Sequence, residues 1–238
     1  KSKKGTRNNE GKNLSSPKKK DFLFNKNNPK KSFDVYIDKN PSDTIEMKYT
    51  TMSDVKKTIR NLERIYKKGL NEKVNIEIKD YRDLNDKYNA ITSIEMIEAV
   101  GQNYLQSYFN TIKKSLKDNG TAAIQAITID DELSDRYKNK QDFIQKYIFP
   151  GGFLPAKKNI HEYANDNNLS FEKVNSYADH YSKTLAIWRE DFNEKWEEIK
   201  KQGFDLTFKR MWEFYLSYCE AGFKSKNIDL IQFSLQKK

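Results

Sequence analysis

At 238 residues the chain is long enough for one well-buried domain with some residues to spare. Hydrophobic residues make up a somewhat low 36%, but 13% aromatic content is too high for a wholly disordered chain. The net charge of +10 invites a nucleic-acid reading, and its placement argues against one, because residues 1–31 hold 11 Lys and Arg against only Glu10 and Asp21. The remainder is close to neutral, so no nucleic-acid partner is expected.

A single cysteine, Cys219, rules out an internal disulfide framework. With His161 and His180 it shows no metal-ligand spacing, so no zinc site is expected. No apolar run approaches the roughly 18 residues of a membrane-crossing helix, and no signal peptide is visible. The expectation is a cytoplasmic protein, soluble or peripheral to a membrane. The chain opens on Lys1 rather than Met, as a processed protein or a fragment would.

Residues 1–32 are rich in Lys, Asn and Ser without apolar periodicity and are predicted to be a disordered basic tail. Such a tail either attracts anionic lipid, at about 1 kcal/mol per basic residue, or is a solvated linker. From Phe33 to the C-terminus the pattern is that of a folded domain. FDVYI, TIEMKYT and KVNIEIKDY read as strands, VNIEI alternating with period two. DVKKTIRNLERIYKKGL between them reads as a helix, with Ser53 as N-cap signal and Gly69 just past its end. AITSIEMI is a strand candidate, VGQNYLQSYFNTIKKSLKDNG an amphipathic helix closed by Gly120, and TAAIQAITI a buried strand. Strand and helix in alternation predict an α/β fold with a parallel sheet and right-handed crossovers. Residues 130–180 interrupt the rhythm and read as a lid-like helical insertion. Two long aromatic-rich helices and a final strand, IDLIQFSLQ, follow.

Four segments carry more specific information: DYRDL (80–84), SIEMIEAVG (93–101), QAITI with DFIQKYIFPGGFLP (125–155), and YADHYSKTLAIWREDF with FKRMWEFYLSYCEAGF (177–223). In this order and spacing the chain resembles the cyclopropane-fatty-acyl-phospholipid synthases, which are similar to the mycolic-acid cyclopropane synthases. The resemblance runs from about Thr50 to the C-terminus. It implies a Rossmann-like S-adenosylmethionine-dependent methyltransferase sheet whose N-terminal part is incomplete here, with the helical insertion covering the active site.

The chemistry so implied is methylene transfer from S-adenosylmethionine to the cis double bond of an unsaturated phospholipid acyl chain at a membrane surface. A bicarbonate ion is the implied base, in a pocket that excludes water. The resemblance places Glu98, Gln125, Ile127 and Tyr181 around that ion. Gln125 stands where the family often has His, and Ala99 follows Glu98 where His is common. For the cofactor it points to Thr51 and Met52 near the ribose and methionine, Tyr81 and Arg82 flanking the adenine, Ile94 beneath it, and Asp80 as a further cofactor-binding residue. Tyr147, Phe149, Phe153, Tyr181, Trp188, Trp212, Tyr215 and Phe223 supply aromatic faces suited to a cation. A homodimer is compatible with the resemblance.

The glycine-rich cofactor loop that the resemblance requires about 25 residues before Thr50 is missing, since no glycine lies between Gly11 and Gly69. Without glycine the backbone cannot approach the cofactor free of a Cβ clash. Two readings stay open. Either a Lys/Asn-rich stretch stands in for the real loop in a fragment, or the chain is a catalytically degenerate homologue acting as a structural or binding protein. A sphingolipid C9-methyltransferase-like activity is a further enzymatic alternative.

Overall fold

A computed structural model describes residues 35–38, 45–47, 52–77 and 79–238, with the backbone course alone up to residue 59. The basic tail and Thr51 lie outside the described residues, as does the stretch expected to hold the glycine loop apart from residues 35–38. In chain order come β1 (Val35–Asp38), β2 (Ile45–Met47), α1 (Met52–Lys67), β3 (Val74–Ile76), β4 (Tyr88–Ile94), α2 (Ile97–Val100), α3 (Leu105–Ser115) and β5 (Leu116–Ile129). Then follow α4 (Ser134–Lys138), α5 (Lys157–Asp166), β6 (Leu169–Ser176), α6 (Ala178–Glu194), α7 (Trp196–Lys200), α8 (Leu206–Lys224) and β7 (Ile228–Lys237).

The strands form one sheet in the order β3-β2-β1-β4-β5-β7-β6. Its α/β character matches the expectation, but the sheet is mixed rather than parallel. Among the described strands, β2 with β3 and β4 with β5 pair in parallel, and each of these pairs is joined through helix, as a parallel crossover requires. β1 runs antiparallel to both β2 and β4. Only residues 39–44 connect β1 to β2, fewer than the dozen or so that a crossover needs. β7 enters between β5 and β6, antiparallel to both. Strand β6 has no counterpart in the sequence reading. Its exposed, Lys- and Asn-containing face hides the alternation on which such a reading depends.

Side chains of β5 and β7 divide between the two faces of the sheet, as period two demands. Ala122, Ile124, Ala126, Ile231, Phe233 and Leu235 pack with Leu105, Tyr108, Phe109 and Ile112 of α3 and with Ile160 and Ala164 of α5. Ile127 and Leu230 face the other way, against Leu185 of α6 and Leu216 and Phe223 of α8. Full burial of each large side chain is worth about 1.5–3 kcal/mol, so these two faces anchor the elements that carry the site. α6 and α8 are further tied by Arg189, whose Nη2 donates to Glu220 Oε2 at 2.9 Å.

Helix ends depart from expectation in two places. α1 closes on Gly69 as predicted, with Gly69 N–H on Tyr66 O and Leu70 N–H on Ile65 O, both at 3.0 Å. It begins at Met52, however, so Ser53 lies within the helix and is not its cap. α3 ends at Ser115, and Asn119 rather than Gly120 adopts the left-handed backbone, with φ of 62°. Gly120 is required for a different reason, because a Cβ there would meet Lys117 O at 2.9 Å and Asn89 O at 3.1 Å. Gly120→Ala should therefore lower the urea midpoint, at unchanged m-value, by the equivalent of about 1–3 kcal/mol.

Candidate active site

The site lies at the carboxyl end of β4, where Ile94 stands opposite Gln125 in register and β5 runs on to Ile129. Open α/β sheets place ligands beyond the carboxyl ends of their strands. The chain leaves β4 through Glu95, a non-glycine residue in the left-handed region with φ of 50°, a conformation that costs about 1–3 kcal/mol. Its N–H donates to Gln125 O at 2.9 Å. The buried Met96 and Ile97 then anchor α2, whose first turn carries Glu98.

Glu98 Oε1 accepts a short hydrogen bond from the Ile127 amide. Its Oε2 is buried without a hydrogen-bond partner. From the other side, Phe153 N–H donates to the Glu98 carbonyl at 2.7 Å, fastening the end of the YIFPGGF segment to α2. Burial pushes the Glu98 carboxyl up to about 7, more than the Ile127 hydrogen bond pulls it down, and the nearby Glu95 adds to the rise.

Gln125 forms the floor between the two carboxylates and β7. Its Nε2 donates to Glu95 Oε1 at 3.0 Å, and its Oε1 accepts from Gln232 Nε2 at 2.7 Å. Tyr181 of α6 and Tyr215 of α8 close the side opposite the sheet. Burial raises both phenols, and the Glu95 charge raises them further, Tyr215 to about 12. Cys219 of α8 is also pushed up to about 12 by burial. Tyr181 packs edge-on to Phe223 at 4.9 Å between ring centroids, and Tyr215 edge-on to Phe149 at 6.2 Å. Glu95 thus lies close enough to both the Tyr181 and the Tyr215 phenol, and Glu98 to that of Tyr181, to act on their ionisation.

Glu98, Gln125, Ile127 and Tyr181, which the sequence predicts together, are brought together here. One role changes: the Ile127 amide is engaged by Glu98 Oε1 and so does not offer a free N–H to an anion. Glu98 itself sits in a helix turn, not at a strand end. Glu95 and Cys219 are members the sequence reading missed. A second carboxylate three residues before Glu98 was the available signal for Glu95. Its pairing with Gln125, 30 residues away, was not visible.

On the cofactor side, Ile94 is exposed at the strand end, a free apolar surface. Tyr81 is half-buried and meets Tyr108 edge-on at 6.1 Å. Asp80 is engaged locally, accepting from the Arg82 backbone at 3.0 Å and from its guanidinium at 2.9 and 2.6 Å. The expected Asp80 and Arg82 contacts to a nucleotide thus compete with their own ion pair. Met52 opens α1. Of the aromatic set, Phe153 and Phe223 are core residues, while Tyr147, Phe149 and Trp188 are about half exposed.

Solved structures of similar architecture include the cyclopropane synthase MmaA2 from Mycobacterium tuberculosis, with TM-score 0.63 and 24% identity, covering 75% of this chain and 67% of that one. The mycolic acid cyclopropane synthase CmaA1, solved with SAH and CTAB, gives TM-score 0.69 and 22% identity over 84% of this chain and 80% of that one. The fold is that of the S-adenosylmethionine-dependent methyltransferases. Residues 44–233 match the family of mycolic acid cyclopropane synthetases, and the chain belongs to that family. Curated relatives include the tuberculostearic acid methyltransferase UfaA1 of M. tuberculosis, 39% identical over 73% of this chain and 41% of its own length. The cyclopropane-fatty-acyl-phospholipid synthase of Escherichia coli K12 is 35% identical over 67% of this chain and 40% of its own length. The chain therefore spans about two fifths of the length of these relatives.

The Glu98 environment makes a prediction of its own. With its folded pKa raised from 4.5 to about 7, its contribution to stability is fully present below about pH 4.5 and is lost as pH rises through 7. Glu98→Gln should remove that loss, making the variant more stable than the parent at pH 8 by about 3 kcal/mol, as read by urea unfolding at pH 5 and pH 8.

Proposed function

We propose that this chain carries the acyl-chain side of an S-adenosylmethionine-dependent lipid methyltransferase that forms cyclopropane rings on unsaturated phospholipid acyl chains. The observation that carries the reading is Glu98 Oε2, buried without a hydrogen-bond partner just past the carboxyl end of β4. Family membership supplies the reaction class.

The residues present fit both implied groups in part. A sulfonium cation is favoured by the Glu95 and Glu98 carboxylates, and Ile94 offers an apolar surface to an adenine ring. When bound, S-adenosylmethionine supplies a methyl group made electrophilic by positively charged sulfur. A cis double bond would take up that methyl as the S–C bond breaks, with positive charge developing on the neighbouring chain carbon until loss of a proton from the transferred methyl closes the ring. The faces of Tyr181 and Tyr215 would stabilise such a charge by roughly 1–2 kcal/mol each when desolvated. Bicarbonate, bound here, would accept the departing proton. Glu98 Oε2 and the Tyr181 hydroxyl are the groups that would hold it, with the second N–H of Gln125. Glu98 at about 7 can both accept from and donate to such an ion near neutral pH.

A second reading, a cofactor-free binding protein on the same fold, is favoured by one observation. Because β1 runs antiparallel to β4, its C-terminal end at Asp38 lies beside Ala90, at the far edge from Ile94. The carboxyl end of β1 thus lies away from the carboxyl end of β4, and no glycine lies between Gly11 and Gly69.

Calorimetry with S-adenosylhomocysteine separates the two. The enzymatic reading expects a Kd below about 100 μM, near −5.5 kcal/mol, and transfer of labelled methyl to vesicles of unsaturated phospholipid. Glu98→Gln and Tyr181→Phe should each lower kcat by about 10²-fold or more while leaving that Kd unchanged. Absence of both binding and transfer would overturn the enzymatic reading for this chain.

A further inference from the structure

Beyond its charge, Glu95 is constrained by its backbone and by two contacts to Gln125. It holds a left-handed backbone that glycine would adopt freely. It touches Gln125 twice, through its N–H to the Gln125 carbonyl at 2.9 Å and through its carboxylate to the Gln125 amide at 3.0 Å. An ionised carboxylate only accepts hydrogen bonds. It therefore dictates which end of the Gln125 amide faces it. The nitrogen must point to Glu95, and the oxygen is left to accept from Gln232 at 2.7 Å. Glu95, Gln125 and Gln232 form a directional chain across the β4 end, β5 and β7, polarised by the charge at one terminus.

We infer that Glu95 is a positioning residue that locks the Gln125 side-chain amide in one orientation, so that its remaining N–H is the donor offered to an anion beside Glu98 and Tyr181. Without the carboxylate, Gln125 and Gln232 can exchange donor and acceptor roles, and half of the orientations present an oxygen where a donor is needed. The amide-locking part rests on the geometry alone. Only the identity of the anion rests on the reaction proposed above.

The test uses the full chain with Glu95→Gln and Glu95→Gly, the former keeping the side-chain shape should the glycine variant loosen the turn. The Gln125 side-chain amide protons are followed by NMR hydrogen exchange. Replacing a charged acceptor by a neutral one, or by none, should speed exchange about tenfold or more in both variants. A second readout is the Glu98 titration followed by ¹³C NMR, in which loss of the like charge shifts the midpoint to lower pH. The groups around Glu98 are Glu95 at the end of β4, the Ile127 amide on β5, Tyr108 on α3 and Tyr181 on α6. Only Glu95 is altered.

If the parent transfers methyl groups, both variants should lower kcat with the Kd for S-adenosylhomocysteine, which carries no sulfonium charge, unchanged. If the parent transfers none, the exchange and titration results still decide the positioning role. Exchange within twofold of the parent in both folded variants overturns it.

Discussion

Glu98 holds the site together through a carboxylate that is more costly to bury than anything else near it. One oxygen is secured by the Ile127 amide, the other is buried with no partner, and the residue's own carbonyl accepts from Phe153. These contacts join α2 to β5 and to the end of the 141–153 segment at a single residue. A hydrogen bond to a charged group contributes roughly 1.5–3 kcal/mol, and an unpaired buried charge costs more than that. The carboxyl accordingly rises to about 7. Natural sequences retain such tension mainly where chemistry uses it. The Tyr181 phenol near it, the Glu95 charge beside it and the Gln125 amide beneath it are all placed relative to this one side chain.

The surrounding segment shows how a loop can be as well determined as a helix. Asp142 and Gln145 cap each other reciprocally at 2.8 and 3.0 Å, and Gln145 Nε2 reaches Gly152 O at 3.1 Å. Between them runs a π-helical turn, Ile144–Ile148. Such turns place one extra residue per turn and are frequent at functional sites. Here the turn carries Tyr147 to solvent while Phe149 remains beside Tyr215.

Much of this was legible in the sequence. Long amphipathic elements such as α3 and α8 declare their buried faces through spacing, and Gly69 marks a helix end through backbone freedom. The grouping of Glu98, Gln125, Ile127 and Tyr181 followed from motif resemblance. What escaped depends on pairings distant along the chain. β6 is recognisable only from its partner β7, and the antiparallel direction of β1 follows from the six-residue connection 39–44 rather than from local propensity. Glu95 reads as one more charged residue until Gln125 is placed beneath it. Asp80 and Arg82 read as ligand contacts, and the ion pair they make with each other is a further bond that the sequence does not display.

The position of β7 has a consequence for the order of assembly. It is the last strand made, yet it lies between β5 and β6, bridging Thr121 to Gln236 and Leu169 to Lys237. During synthesis, β5 and β6 must wait as open edges, with the apolar side chains of β5 already in place. The two helices that cover the other face, α6 and α8, acquire Leu230 only at the end. Pairings of such high sequence separation are slow to form, and unpaired edges invite aggregation meanwhile. Completion of the sheet and closure of the pocket floor, where Gln232 meets Gln125, are therefore one event.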